Sequence, residues 1–332
     1  MRIFITGATG FIGYHVTRLL REQQCDIRAL VRPASEVAEL KTLGVELIEG
    51  DLRDSGSVRQ AMAGCDQVYH LAADYRLWVP DSDEMYRINV QGTRNILMAA
   101  QDSGVKKIVY TSSVGALATT RDGVAMTEES PVRLEEMVGH YKRSKFLAQE
   151  EALKFAARGV PVVIVNPSTP VGPMDGKPTP TGQMIVDFLN RKIPAFLDTG
   201  LNFVDVTDVA RGHLLAAKYG RHGEKYILGN VDLSLKDFFE MLADITHLPA
   251  PRFRLPYYPL LAGGWFCEHL SRVTGKPPLI PLTGVRMARK YMYFDCSKAV
   301  CELHHTMQPV RGALEAAVEW FRTNGYIKKV QP

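Results

Sequence analysis

At 332 residues the chain is longer than one typical domain and too short for three, and 46% hydrophobic with 23% charged residues suits a well-packed globular core. A formal charge of +4, on lysines and arginines scattered along the chain, leaves no basic block to line a nucleic-acid groove. Five cysteines, an odd number with no C-x-x-C pair, suggest neither a disulfide framework nor a zinc site, only the free thiols of a reducing compartment.

The N-terminus enters a strand, Arg2 to Thr6, without the charged and apolar regions of a signal peptide, and no apolar run is long enough to span a bilayer. A cytoplasmic protein is expected. A helix follows over Gly10 to Glu22, then strands at Asp26 to Val31, Val45 to Ile48 and Gln67 to Leu71. A long helix over Asp83 to Ser103 precedes a strand at Lys107 to Thr111, and a helix over Gly139 to Arg158 leads into Val160 to Val165. Apolar runs alternating with amphipathic stretches predict an α/β fold, a doubly wound parallel sheet. After Asn166, the prolines at 167, 170, 173, 178 and 180 predict a long irregular loop, of the kind that usually carries function. Helices are then expected near Gly182 to Arg191, Val206 to Tyr219, Ser234 to His247 and Val310 to Asn324. The strongly apolar stretch Tyr257 to Val273 reads as a packed helix or a subunit contact; it lacks the basic face of a membrane-surface helix.

The first strand runs directly into Thr6-Gly-Ala-Thr9-Gly-Phe11-Ile12-Gly13 and a helix. In that context Gly7 allows a tight turn, Gly10 lets backbone approach a pyrophosphate, and Gly13 lets helix and strand pack closely. The second strand ends in Arg32, with no carboxylate to repel a 2′-phosphate, which favours NADP(H), with NAD(H) as the alternative. Asp51 and Leu52 after the third strand are placed to meet the adenine, and Leu71, Ala72 and Ala73 offer small residues beside the pyrophosphate and ribose. Tyr141 and Lys145 stand at i and i+4 on one helical face. A nearby ammonium favours the phenolate, which fits Tyr141 for proton exchange with a substrate oxygen. Thr111, Ser112 and Ser113 close the fifth strand, where a hydroxyl could bond the reacting oxygen.

Taken together, Thr6-Gly-x-x-Gly-x-x-Gly13, His70-Leu-Ala-Ala73, Asn89-Val-x-Gly-Thr93, Thr111-Ser-Ser113, Tyr141-x-x-x-Lys145, Asn166-Pro167 and Val204-Asp-Val-Thr-Asp-Val209 occur in order over nearly the whole chain. The chain resembles the extended short-chain dehydrogenase/reductases of the NAD(P)-dependent epimerase/dehydratase family. Arg28 to Pro33, Ala72 to Trp78 and Asn166 to Pro173 are most similar to the hopanoid-associated sugar epimerase and dihydroflavonol-reductase-like subgroup. The resemblance implies a Rossmann domain over 1–166, with 202–230 returning to its sheet, and a smaller C-terminal substrate-binding lobe from 167–201 and 231–332. It implies Ser113 as the catalytic hydroxyl, Tyr141 as acid/base, Lys145 as the ribose-holding cation, and Pro167 and Ser168 beside the nicotinamide. It also implies a homodimer through the Asp83–Ser103 and Gly139–Arg158 helices.

A small-molecule substrate is expected, reached by oxidoreduction of a carbonyl or alcohol. Tyr75, Leu77 and Trp78 are candidates for an apolar wall over it, or for a lid packed on the core. The alternative is a sugar epimerase. Many nucleotide-sugar enzymes of the superfamily carry an arginine at the position of Leu201, so an anion clamp here would have to come from Arg286 and Arg289. A non-catalytic dinucleotide sensor is a third reading, weighed against by intact Ser113, Tyr141 and Lys145. His70, His140, His304 and His305 lack metal-ligand spacing, and no metal is expected.

Overall fold

A computed structural model describes residues 1–120, 122–274, 278 and 281–327. Strand and helix alternate through β1 (Arg2–Thr6), α1 (Phe11–Glu22), β2 (Asp26–Val31), α2 (Ala38–Thr42), β3 (Glu46–Glu49), α3 (Ser55–Met62) and β4 (Gln67–His70). Next come α4 (Ser82–Tyr86), α5 (Gly92–Asp102), β5 (Lys107–Thr111), α6 (Gly139–Ala157) and β6 (Val162–Pro167). The later elements are shorter: β7 (Thr169–Val171), α7 (Pro180–Leu189), β8 (Ala195–Phe196), β9 (Gly200–Asp205), α8 (Val206–Tyr219), β10 (Lys225–Leu228) and β11 (Val231–Ser234). The chain continues through α9 (Leu235–Thr246), β12 (Phe253–Arg254), α10 (Tyr257–Thr274), α11 (Leu282–Met287), α12 (Ser297–Leu303) and α13 (Val310–Thr323).

Seven parallel strands in the order β10-β6-β5-β4-β1-β2-β3 make the main sheet. Ile3, Phe4 and Ile5 in β1 are fully buried, because helices cover both faces and every side chain of a central parallel strand meets one of them. One face carries α1 and α8, the other α3, α5 and α6. The strand order reverses between β1 and β4, and the crevice outside their carboxyl ends is where such sheets bind ligands.

Two expectations need correction. The proline-rich stretch after Asn166 is not wholly irregular: β7 lies at the edge of a small sheet ordered β11-β9-β7, where Pro170 costs little, and Pro180 opens α7. Thr179 caps that helix, its hydroxyl accepting from Gly182 N at 3.1 Å. Within 202–230, β10 joins the main sheet beside β6, whereas β9 pairs with β7 and β11 because α8 carries the chain across to the main sheet only afterwards. The small sheet packs with α7, α9 and α13 around Phe203 and Phe238, whose rings stack at 4.5 Å.

The helix expected over Asp83 to Ser103 is continuous but contains a π turn, Arg87–Gln91, between α4 and α5. Such a turn inserts one residue and re-aims a side chain. Here Asn89 points inward: its carbonyl accepts from Asp74 N at 2.7 Å, and its amide donates to Asp74 O at 2.8 Å and Ser144 Oγ at 2.9 Å. The connection after β4 is thereby tied to the helix that bears Tyr141.

Candidate active site

A cleft of about 1370 Å³ runs along the carboxyl ends of β1, β2, β4, β5 and β6. Its first wall is backbone. Gly7 has φ +76°, and a Cβ there would sit 2.6 Å from Ala72 N; a Cβ on Gly13 would lie 1.9 Å from the Gly7 carbonyl oxygen. Thr9, Gly10, Phe11 and Ile12 line the same wall. α1 starts at Gly10 with no side-chain cap and no acid in its first turn, so its leading N–H groups are left to an anion. Deeper in, Ser168 Oγ is buried in the lining without a hydrogen-bond partner among the described residues. Polar atoms of that kind fit a ligand that brings its own donors and acceptors. The residues present therefore fit a dinucleotide.

Arg32, Asp51 and Leu52 line the end of the cleft at β2 and β3, and Leu71, Ala72 and Ala73 follow β4. Asp51 is not free: Arg53 grips both its oxygens at 2.6–3.1 Å and holds its carboxyl below the usual range. Its side chain is thus a support for the β3 turn.

At the far end Thr111, Ser113, Tyr141, Lys145, Pro167 and Ser168 come together. Ser113 Oγ accepts from Gly115 N at 3.0 Å, which leaves its proton for another oxygen, and the Ser113 side chain pulls the Tyr141 pKa down. Lys145 Nζ donates to the Thr111 carbonyl at 2.7 Å and is almost wholly buried. Thr111 is held in turn by His213: the imidazole Nδ1 donates to Val209 O at 2.8 Å, so Nε2 accepts from Thr111 Oγ1 at 2.9 Å. His70 plays a similar strand-end part between Thr6 and Thr93, and burial pushes its pKa down to about 3. No group of three metal-ligating side chains occurs among the described residues.

The electrostatics differ from the expected lowering of Tyr141. Burial raises its pKa above the ordinary phenol value, against the pull of Ser113, while burial pushes Lys145 down to about 7. The reason is burial, which disfavours the charged form of both groups, phenolate and ammonium alike.

Tyr75 and Leu77 line the cleft, and Tyr75 donates from its hydroxyl to Lys177 O at 3.1 Å, tying itself to the proline-rich loop. Trp78 does not line it, because the chain bends at Leu77 and carries the indole aside. Arg286 and Arg289 are also outside: both are exposed, and Arg289 lies 5.6 Å over the Tyr257 ring. Leu201 is in the lining. Sequence reading missed Lys142, Asp175, Met184, Met287, Met292 and Trp320, all of which line the cleft. Only Lys142 had a signal, its place inside the Tyr141–Lys145 segment. Its Nζ donates to Met292 Sδ at 3.6 Å, and burial pushes its pKa down to about 8. Asp175 accepts from Thr179 N and Oγ1 at 2.8–3.1 Å, and burial pushes it up to about 6.

Comparison with known proteins accords with this geometry. Residues 3–229 match the model of the NAD dependent epimerase/dehydratase family. The chain is 46% identical to a Synechocystis protein named "Putative dihydroflavonol 4-reductase", over 98% of this chain and 96% of that one. It is 33% identical to the sterol demethylase protein B of Methylococcus capsulatus, over 98% of this chain and all of its relative (100%). Among solved structures, gox2253 superposes with a TM-score of 0.88 at 44% identity, covering 98% of this chain and 99% of that one. A nucleoside-diphosphate-sugar epimerase of Pseudomonas aeruginosa, PA4631, superposes with a TM-score of 0.81 at 26% identity, covering 99% of each.

Proposed function

The chain belongs to the NAD dependent epimerase/dehydratase family, and on that premise we propose that it is an NADP(H)-dependent oxidoreductase acting on an apolar carbonyl or alcohol substrate. One observation carries the reading. Ser113, Tyr141 and Lys145 converge on a cleft whose remaining wall includes Leu77, Met184, Leu201, Met287 and Met292; of the arginines that line it among the described residues, Arg32 and Arg53 stand at the adenosine end and Arg76 is paired with Asp74, so none is left unpaired at the substrate end. A sugar diphosphate would need such a cation; an apolar ring system would not. The names of the relatives, "Putative dihydroflavonol 4-reductase" and "Sterol demethylase protein B", support the same substrate class.

Residues 1–166 would hold the dinucleotide, with 167–201 and 231–332 closing over the substrate. The glycine turn and the start of α1 would take the pyrophosphate, Arg32 a 2′-phosphate, Lys145 the ribose hydroxyls, and Pro167 with Ser168 the nicotinamide. When bound, the nicotinamide supplies or accepts the hydride. Tyr141 holds the proton: a phenol raised by burial stays protonated at neutral pH, which suits donation to a carbonyl oxygen as it becomes an alcohol. Ser113, with its lone pair engaged by Gly115, turns its own proton toward that oxygen. Five thiols, all free, support a reducing, cytoplasmic setting. We assign the resting form as a homodimer through α5 and α6, where Met98 is an exposed apolar residue.

The test is NADPH oxidation with apolar ketones and aldehydes. Tyr141→Phe should lower turnover about a thousandfold while NADPH binding, followed by fluorescence, stays within a factor of about three. Unchanged turnover in the variant would remove Tyr141 from the chemistry.

A further inference from the structure

Two lysines are buried among the described residues, and both belong to α6: Lys142, 6% exposed, and Lys145, 3% exposed. Both line the cleft. A buried charge ordinarily has a partner that offsets the loss of water, and the buried acids of this chain have theirs. Asp74 meets Arg76, Glu151 meets Arg94 and Lys154, and Asp208 meets Arg211. Asp175 accepts from Thr179, and Glu128 accepts from Ile227 N. Lys145 donates to the Thr111 carbonyl. Lys142 is different. Among the described residues its ammonium reaches only the Met292 thioether, a weak acceptor, at 3.6 Å. No acid acts on it: its pKa is pushed down by burial and by a second cation, Lys290, which itself donates to Glu136 O at 3.5 Å.

This ammonium belongs to the substrate end of the cleft. A Cβ built on Gly115 would lie 3.6 Å from Lys142 Cγ, 3.6 Å from Tyr141 Cε1 and 3.2 Å from Ser113 Oγ, so the stem of Lys142 runs close to the phenol and the hydroxyl. Its partner Met292 is fixed by backbone. The Met292 N–H donates to Gly200 O at 2.9 Å, and its carbonyl accepts from Asn202 N at 2.8 Å, which binds it to β9 beside Leu201. Helix and strand together therefore hold a desolvated cation in a wall that is otherwise built of Leu and Met side chains.

We propose that Lys142 determines specificity by binding a carboxylate that the substrate carries near its reacting carbonyl or alcohol, which makes the substrate an apolar oxo or hydroxy acid. The inference rests on the reading of the cleft as an oxidoreductase site for an apolar compound, and it narrows that class. A carboxylate brings the single negative charge that this ammonium lacks, and such a pair is strong in a site that excludes water. A neutral oxygen would leave the charge uncompensated. A diphosphate carries more charge than one ammonium answers. With a pKa of about 8, Lys142 is largely protonated at neutral pH, as the pairing requires. Proton transfer stays with Tyr141; Lys142 selects and orients.

The experiment is calorimetric titration of the full chain, with and without NADPH, using benzoic, 2-naphthoic and 1-pyrenecarboxylic acids, each beside its primary amide. The amide keeps the ring and an acceptor oxygen and loses the charge. At pH 7 at least one acid should bind the wild type at least about tenfold more tightly than its amide. Lys142→Met should cancel that preference by weakening the acid, with the amide kept within a factor of about three. Lys142→Gln, nearly the same length, should do the same and guards against a loss of fold in the first variant. A merely structural lysine would weaken acid and amide together. That outcome, a preference that survives both substitutions, or no acid preferred by the wild type would overturn the proposal. The readout needs no turnover, so a failed Tyr141→Phe test leaves it standing. Acids bound no better than amides would leave the hydride chemistry standing, on a neutral substrate.

Discussion

The two ends of the cleft are built from different materials. Around Gly7 and Gly13 the wall is main chain, with approaches so close that a methyl group would collide with a carbonyl or an amide. Around Leu77, Met184, Met287 and Met292 the wall is side chains drawn from elements far apart in sequence. The first wall admits one shape of ligand. The second, rich in unbranched thioethers that repack readily, can adapt to several. Rigidity toward the cofactor and latitude toward the substrate are what a reductase of varied apolar compounds needs.

The largest effect should come from breaking the rigid end. Gly13→Ala places a methyl against the Gly7 carbonyl, and we expect NADPH affinity to fall by about a hundredfold; a fluorescence titration within a factor of about three of wild type would mean the turn can shift. At the adaptable end, Lys142→Met removes a buried cation. Its pKa in the fold, about 8, lies below the ordinary 10.5, so the folded state resists protonation. The resulting penalty is full below about pH 8 and is relieved as pH rises toward 10.5. The variant should therefore gain roughly 2 kcal/mol at pH 7 and little near pH 10, measured by urea melts at both. A gain independent of pH would show that packing, not charge, is responsible. The smallest effect concerns the adenosine end, where Arg32→Asp should weaken NADPH about tenfold relative to NADH. Equal losses for both cofactors would leave Arg32 as a solvated surface residue.

This contrast also explains what was legible in the sequence. Every strand of the Rossmann half lies within two residues of its expected ends, because apolar runs between turn residues have few alternatives in a buried parallel sheet. The glycine turn, Thr111 to Ser113, and the Tyr141–Lys145 pair could be brought to one sheet edge before any coordinates, since strand ends of a doubly wound sheet converge there. The substrate wall could not. Met287 and Met292 carry no pattern of their own, and Trp78 looked like wall only until the bend at Leu77 turned it away. The lowering expected for Tyr141 counts the Lys145 charge and the positive ring of an oxidised cofactor but not burial, which raises the phenol in the chain by itself. The sequence reads helix α10 as a packed helix or a subunit contact, and one side of it is packed, Gly264 being buried against α11. The apolar residues of its outer stripe were legible in the sequence, but their exposure was not, because periodicity shows that a helix has an apolar face, not what covers it.

Most direct for the central claim is the nucleotide carried by freshly purified protein, identified by mass and challenged with added NADPH. The account predicts a nucleotide that exchanges freely with NADPH, as an enzyme that must release oxidised cofactor on each turnover requires. Tightly retained NAD that survives purification and resists exchange would contradict it, and would point to a cofactor kept through the cycle, as in an epimerase.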